Sequence, residues 1–503
     1  MVPRSELHDG VTWHGRSIYP NRMSFVKIKN IVRNFGLNLG GSALPIAVSL
    51  VTVPAYLHHL GEVRYGILTF VWTLVGYFGI LDLGISRATA NRISKVVHRD
   101  MSEVRAVFWS AVYLNTALGI VGGICFYFAG DWILHHLVKA PESYHFEIAR
   151  SVLWIAIAIP IVNLSAVLGG ALEGAERFGI YNGVQFIGTL GVQTLPLIAG
   201  LMVGPSLEIV VPAAAIARLL TCIMLAVVVR STFDLSWLGR FSRARALDLL
   251  HFGKWVVTSS SVRVLADNAD RFAIGSVVGA AALSVYGVPQ NLILRCMLMP
   301  NALARTMFPR FSSNTPEDAH RLCLQALRIH GYIYTACLIV ALWIIKPFLI
   351  LWVGHEFAAN AIPVARLLIL GVWAAGQSVI VIAFLQATGQ PNIVAKLSLI
   401  ETPLLLAAIW VGASHFGLNG VAVVVVLRNL CDALVLAWCG RLLAEAALPA
   451  VISVVCLTLN YALCIEELSV AVQIASCLVS VGAMIAFAAS GRLGQLLKPA
   501  AQE

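Results

Sequence analysis

Fourteen stretches of about 20 largely apolar residues, the first opening at residue 36 and the last closing at 489, follow one another with only short polar breaks. Each is long enough to cross roughly 30 Å of hydrocarbon as a helix. Inside lipid every backbone N–H and C=O has to find its partner within the segment, so such a chain is expected to be all-α and polytopic, with about 14 transmembrane helices. Composition adds the same constraint from the other side. With 59% hydrophobic and 12% charged residues, against roughly 25% charged in an ordinary soluble domain, too little polar surface exists to cover a water-facing core.

The basic residues fix an expected orientation. Counted in alternate interhelical segments, with the N-terminus in the first, Lys and Arg number 25 on one side and 3 (Arg64, Lys139, Arg150) on the other. Short loops rich in Lys and Arg stay in the cytoplasm, which predicts that both termini are cytoplasmic. The net charge of +10 therefore reads as topology and not as a nucleic-acid surface. The first 24 residues are polar with no apolar run, so no cleavable signal peptide is expected, and Met23 offers a second plausible start.

An internal repeat divides the chain. Leu60-Gly61-Glu62-Val63-Arg64-Tyr65-Gly66 between spans one and two is echoed by Val278-Gly279 and Tyr286-Gly287 between spans seven and eight; Leu172 to Arg177 by Ala387 to Asn392; Arg218 to Cys222 by Arg428 to Cys431. Six spans separate the matched pieces, so the two halves share one orientation and face each other across a central cavity. The expected organisation is a cytoplasmic segment 1–35, an N-lobe of six helices over 36–230, a cytoplasmic loop 231–254, and a C-lobe of six helices over 255–441. Two extra C-terminal helices (442–490) form a lipid-facing appendage, and 491–503 is a cytoplasmic tail.

Seven basic residues lie within spans, and five of them, Arg218, Arg263, Arg271, Arg295 and Arg428, are too deep to reach water easily and are the candidates for binding an anionic substrate in the cavity, Arg218 and Arg428 with the weaker support. Arg263, Asp267, Asp270 and Arg271 share one helical face of span seven. At about 2.5–3.5 kcal/mol per charge, that face is too costly to present to lipid. Either the charges neutralise one another and lock the packing, or they line a hydrated cavity, a reading to which Ser259, Ser260, Ser261 and Asn268 add polarity. Arg295 in span eight, near Gln290 and Asn291, has no acidic neighbour in its own helix and is the best single candidate for an anionic partner. Asp432, four residues beyond Arg428, is placed to neutralise it; Arg218 has no such acid. Asp82 and Arg87, at the inner end of span two, read as a helix-terminal pair with a gate or structural role. Asp267 and Asp270 are the candidates for ion coupling, to H+ or Na+.

Enzymatic signatures are missing. No nucleophile elbow, paired catalytic carboxylates, phosphate-cradling glycine loop or metal-ligand spacing occurs, so neither catalysis nor a metal is expected. The ten cysteines lie mostly in apolar segments without C-x-x-C spacing and act as small hydrophobes. No outer loop exceeds about 21 residues, which disfavours a membrane polymerase or ligase. Five deep arginines also suit a multidrug cation antiporter poorly.

Two segments resemble a known family: Pro54-Ala-Tyr-Leu-His-His-Leu-Gly-Glu-Val-Arg-Tyr-Gly66 with Leu81-Asp-Leu-Gly-Ile-Ser-Arg87, and Asp267-Asn-Ala-Asp-Arg-Phe-Ala-Ile-Gly275 with Phe308-Pro-Arg-Phe-Ser312. They are similar to the polysaccharide-biosynthesis flippases of the Wzx type, in the multidrug, oligosaccharidyl-lipid and polysaccharide exporter superfamily. The resemblance covers roughly 24–490. It implies two six-helix lobes forming a V-shaped cavity in the bacterial inner membrane. It also implies translocation of an undecaprenyl-diphosphate-linked oligosaccharide for capsule, exopolysaccharide or O-antigen synthesis, with a polysaccharide polymerase and a chain-length regulator as partners. The related lipid II flippases also have fourteen spans and keep that substrate open.

Overall fold

The computed structural model describes residues 22–82, 84–97, 99–234, 239–251, 268–466 and 469–490, with side chains from residue 47 onward. Among these residues every regular element is helical. The N-lobe comprises α1 (Arg22–Tyr77), α2 (Ile85–Val96), α3 (Met101–Leu137), α4 (His145–Gly174), α5 (Phe178–Met202) and α6 (Leu207–Phe233). A short helix, α7 (243–251), follows. The C-lobe is built from α8 (Ala269–Ala273) with a wide turn over Ile274–Val278, α9 (Ala280–Ile293), a tight turn over Leu294–Met297, α10 (Leu298–Ser313), α11 (Pro316–Val353), α12 (His355–Ala387) and α13 (Pro391–Cys439). The appendage is α14 (Leu443–Ile465) and α15 (Val470–Ser490).

Two of these helices each contain two passes. α1 breaks at Gly61 (φ 77°) and α13 at Gly417 (φ 58°), where the backbone enters a region that costs an L-residue dearly and glycine nothing. The arrangement is thus compatible with fourteen crossings. Nine of the described helices are long and apolar enough to span a membrane.

The duplication is visible in the helix ends. α4 closes with Arg177 N–H bonded to the Leu172 carbonyl (2.9 Å), and α12 with Gln390 N–H bonded to the Leu385 carbonyl (2.8 Å). Both use a left-handed residue, Glu176 (φ 57°) in the first and Gly389 (φ 80°) in the second. The same C-terminal lock therefore ends equivalent helices. The two lobes are pseudo-equivalent six-helix units.

The appendage packs on α11. Trp343 Nε1 donates to Asn460 Oδ1 (3.0 Å), and Asn460 Nδ2 donates in turn to the Cys456 carbonyl (2.9 Å) and Ser480 Oγ (3.0 Å). Its outer surface carries Leu448, Leu478 and Val479, all more than two-thirds exposed, as a lipid-facing surface should.

The lobes meet at one end, where the Gly61, Gly279 and Gly354 turns lie. Lys139 bridges them through its backbone, its N–H bonding the Gly275 carbonyl (2.9 Å) and its own carbonyl accepting from Ala280 N–H (3.0 Å). A Cβ on Gly66 would collide with the Ala280 carbonyl, so only glycine lets these helices touch. Trp352 Nε1 reaches across to the Leu50 carbonyl (2.6 Å), and Phe70 meets Phe272 edge to face at 5.4 Å. Nearby, Arg64 grips Glu147 with two guanidinium nitrogens (2.6 and 2.9 Å), and Glu147 also accepts from Leu207 N–H (2.9 Å). That carboxylate thereby ties α1, α4 and α6 together behind the seam.

Candidate functional site

Beneath the seam lies a cavity between the lobes. Two adjoining chambers of about 370 and 240 Å³ share Tyr65, Trp72 and Asn291 in their walls. The C-lobe contributes Asn268, Arg271, Asn291 and Arg295; the N-lobe contributes Tyr56, Tyr65, Thr69, Trp72, Thr73 and Gln193.

Arg271 is placed by a chain of bonds that begins at a buried carboxylate. Asp270, 5% exposed, accepts from Tyr286 Oη (3.0 Å), Gln290 Nε2 (2.5 Å) and the Arg271 backbone N–H (2.8 Å). Gln290 is thereby turned so that its Oε1 faces the Arg271 guanidinium (3.3 and 3.4 Å). Arg271 completes its set with Asn291 Oδ1 (3.0 Å) and, across the lobe boundary, Thr73 Oγ1 (2.8 Å). Among the described residues this guanidinium meets only neutral oxygens, and Asp270 holds it indirectly.

Arg295 sits in the tight turn between α9 and α10, exposed to the smaller chamber, with no hydrogen bond or ion pair to a described residue. A guanidinium in that position brings five donors, and a positive charge that no described residue pairs, into the cavity.

The other candidates lie elsewhere. Arg428 donates through Nε to Glu401 Oε1 (2.6 Å) in a separate cavity of about 390 Å³ inside the C-lobe, which Arg305 and Asp432 also line. The nearest acid in sequence, Asp432, thus shares the cavity while the shortest ion pair goes to another pass. Sequence spacing shows only the partners on one helix. Arg218, repeat-equivalent to Arg428, is half-buried on α6, lines none of these cavities and bonds to no described residue.

Asp82 is not paired with Arg87. It accepts from Ser86 N–H (3.1 and 3.2 Å), Ser86 Oγ (2.6 Å) and Asn115 Nδ2 (2.5 Å), while Arg87 is exposed and forms no ion pair with a described residue. The carboxylate caps α2, whose entry through Gly84 (φ 68°) leaves the first N–H groups open. Arg263 and Asp267 lie outside the described residues.

Sequence reasoning missed the whole N-lobe wall. Tyr56, Tyr65, Trp72 and Gln193 are common residue types for a membrane helix, and nothing in their spacing shows that they converge. The one signal was Tyr65-Gly66, whose glycine permits the close approach that brings this wall against the C-lobe.

A helical molecule with two like lobes, joined at one end over a polar cavity, is built as a membrane carrier. Comparison with known proteins points the same way. A Shigella flexneri protein provisionally named as an O-antigen transporter is 26% identical over 81% of this chain and 97% of its own. A lipid II flippase structure, MurJ in an inward closed conformation, superposes with a TM-score of 0.69 at 13% identity, over 91% of this chain and 99% of its own. A multidrug-resistance MATE transporter captured facing inward superposes at 0.65 and 18% identity, over 80% and 95%. The profile of the polysaccharide biosynthesis protein family matches residues 31–315, and the chain belongs to that family, as a Wzx-type flippase of the multidrug, oligosaccharidyl-lipid and polysaccharide exporter superfamily. It is a multi-pass membrane transporter and not an enzyme.

Proposed function

We propose that this flippase moves an undecaprenyl-diphosphate-linked oligosaccharide from the inner to the outer leaflet of the bacterial inner membrane, by alternating access. The observation that carries the reading is the pair of arginines, Arg271 and Arg295, on the C-lobe wall of the interlobe cavity. A diphosphate carries about two negative charges into a low-dielectric slab, where guanidinium groups meet it with charge-assisted, bidentate bonds. The two arginines divide the work. Arg271 is fixed by its neutral partners and presents a set direction, whereas Arg295, unbonded among the described residues, can close on a ligand.

With both termini in the cytoplasm, the seam at Lys139, Gly275 and Ala280 faces outward and the cavity opens inward. Loading from the cytoplasmic leaflet, and release after the seam parts, then follow from one rocking motion. Binding must stay moderate, because a cargo held far more tightly in one state would stall the carrier there.

Export of surface polysaccharide by cells carrying single substitutions tests the reading. Arg295→Ala should abolish nearly all export at normal membrane abundance, and Arg295→Lys should leave a partial rate, since lysine keeps the charge and loses the fork. Wild-type export by Arg295→Ala would overturn the diphosphate role.

A further inference from the structure

The two walls of the cavity differ in kind. Both arginines stand on C-lobe elements, whereas the N-lobe wall around Tyr56, Tyr65, Trp72 and Gln193 has no charge among the described residues. Tyr56 and Tyr65 stack at 5.4 Å with planes 27° apart, and Trp72 stands edge-on to Tyr56 at 6.2 Å. The cluster is held rigidly, because Tyr56 commits its hydroxyl to the Gln193 backbone carbonyl (2.9 Å). It is also unfinished. Trp72 Nε1 and Gln193 Oε1 are buried and neither has a hydrogen-bond partner among the described residues, so one donor and one acceptor are left open among aromatic rings. Buried polar groups are nearly always paired, and an unpaired one costs about 1–3 kcal/mol.

Tyr56 and Tyr65 are buried and back the wall, while Trp72 is only half-buried, so a ligand that satisfies it has an apolar face for the Trp72 ring and hydroxyls at its edge that both accept and donate. A pyranose has that shape: C–H bonds on its faces, O–H groups around its rim. A phosphate would find its cation, Arg295, on the facing C-lobe wall of the same chamber and has no apolar face for an aromatic ring, and a prenyl chain would leave Trp72 Nε1 and Gln193 Oε1 unpaired. We infer that the N-lobe wall formed by Tyr56, Tyr65, Trp72 and Gln193 is a sugar-binding subsite, which takes the first saccharide of the cargo while the C-lobe arginines take its diphosphate. The inference rests on the proposed function above. It has a mechanical consequence: the two handles of one cargo lie on different lobes, so parting the seam pulls them apart and weakens the grip at the moment of release.

The test uses the full-length chain purified in detergent, with four probes: undecaprenyl diphosphate alone, and the same lipid bearing one glucose, one galactose or one N-acetylglucosamine. The wild-type chain should bind at least one glycosylated probe about tenfold more tightly than the bare lipid. Trp72→Phe, which keeps the ring and removes the N–H, and Gln193→Leu should each erase most of that preference while leaving affinity for the bare lipid unchanged. Equal affinity of the wild-type chain for all four probes would overturn the inference. So would variants that weaken the bare lipid as much as the glycosylated one. Arg295→Ala separates this result from failure of the underlying reading: it should weaken all four probes alike, and if it weakened none, the diphosphate role itself would fall.

Discussion

Among the described residues each lobe buries one carboxylate in a network of its own, Asp82 in the N-lobe and Asp270 in the C-lobe, and the two networks end in different places. Asp82 is spent on the fold: it caps α2 through Ser86 and fastens α3 through Asn115, whose Nδ2 also bonds the Asn163 carbonyl on α4 (3.1 Å). None of these four residues, Asp82, Ser86, Asn115 and Asn163, lines the cavity. Asp270 takes a tyrosine and a glutamine as donors, and the glutamine passes the constraint to Arg271, which opens on the cavity and touches Thr73 of the other lobe. Two lobes of like topology have therefore used a buried acid once as a fastener and once as a positioning device. The duplication supplied the scaffold, and divergence of a few polar residues decided which lobe presents charge to the cavity.

The largest difference between the networks should appear at Asp270. Asp270→Ala would strip Tyr286 and Gln290 of their acceptor and release Arg271, so export should fall to a small fraction of wild type. The gentler Asp270→Asn keeps one acceptor oxygen and should retain a measurable rate. If Asp270→Asn exported at the wild-type rate with the same dependence on pH and sodium, neither positioning of Arg271 nor ion coupling could be assigned to this carboxylate.

Asp82→Ala should act on stability first. Losing a helix cap and one of the two hydrogen bonds of Asn115 Nδ2 in the lobe interior costs about 2–4 kcal/mol, seen as a lower thermal midpoint of the purified protein. Export should drop only in proportion to the protein remaining in the membrane. A specific export defect at normal abundance and normal melting would erase the contrast and give Asp82 a functional role.

The smallest effect concerns a carboxylate outside the membrane. Asp100 caps α3, accepting from Ser102 Oγ (2.6 Å), Glu103 N–H (3.3 Å) and Ser102 N–H (2.9 Å), and these bonds hold its carboxyl below the ordinary value. A depressed value in the folded state means that the stabilisation is complete above the unfolded value, near pH 4, and is lost as pH falls through the folded one. Asp100→Asn should therefore flatten the acid side of the melting profile slightly while leaving neutral pH and export almost unchanged. A marked export defect in this variant would show that the α2–α3 connection does more than start a helix.

How much of this was legible in the chain depends on the range of the interaction. Helix count, lobe repeat and the unsuitability of deep arginines for lipid follow from local composition, because the bilayer penalises each polar group where it stands. Arg295 could be singled out for the same reason: its helix offers no acid. The partner of Arg428 could not, since Glu401 lies on another pass. Asp82 was legible as a helix-end residue and illegible as a bond to Asn115, 33 positions away.

The sequence by itself determined that this protein is an all-helical, duplicated membrane protein, since hydrophobic run length and the cost of an unbonded backbone in lipid act on each segment separately. The tertiary structure alone decided that Arg271 answers to Asp270 through Gln290, that an aromatic N-lobe wall faces two C-lobe arginines, and that Gly66 lets the lobes seal against Ala280. Those are contacts between segments distant in the chain, fixed by how whole helices pack, and no local pattern of residues encodes them.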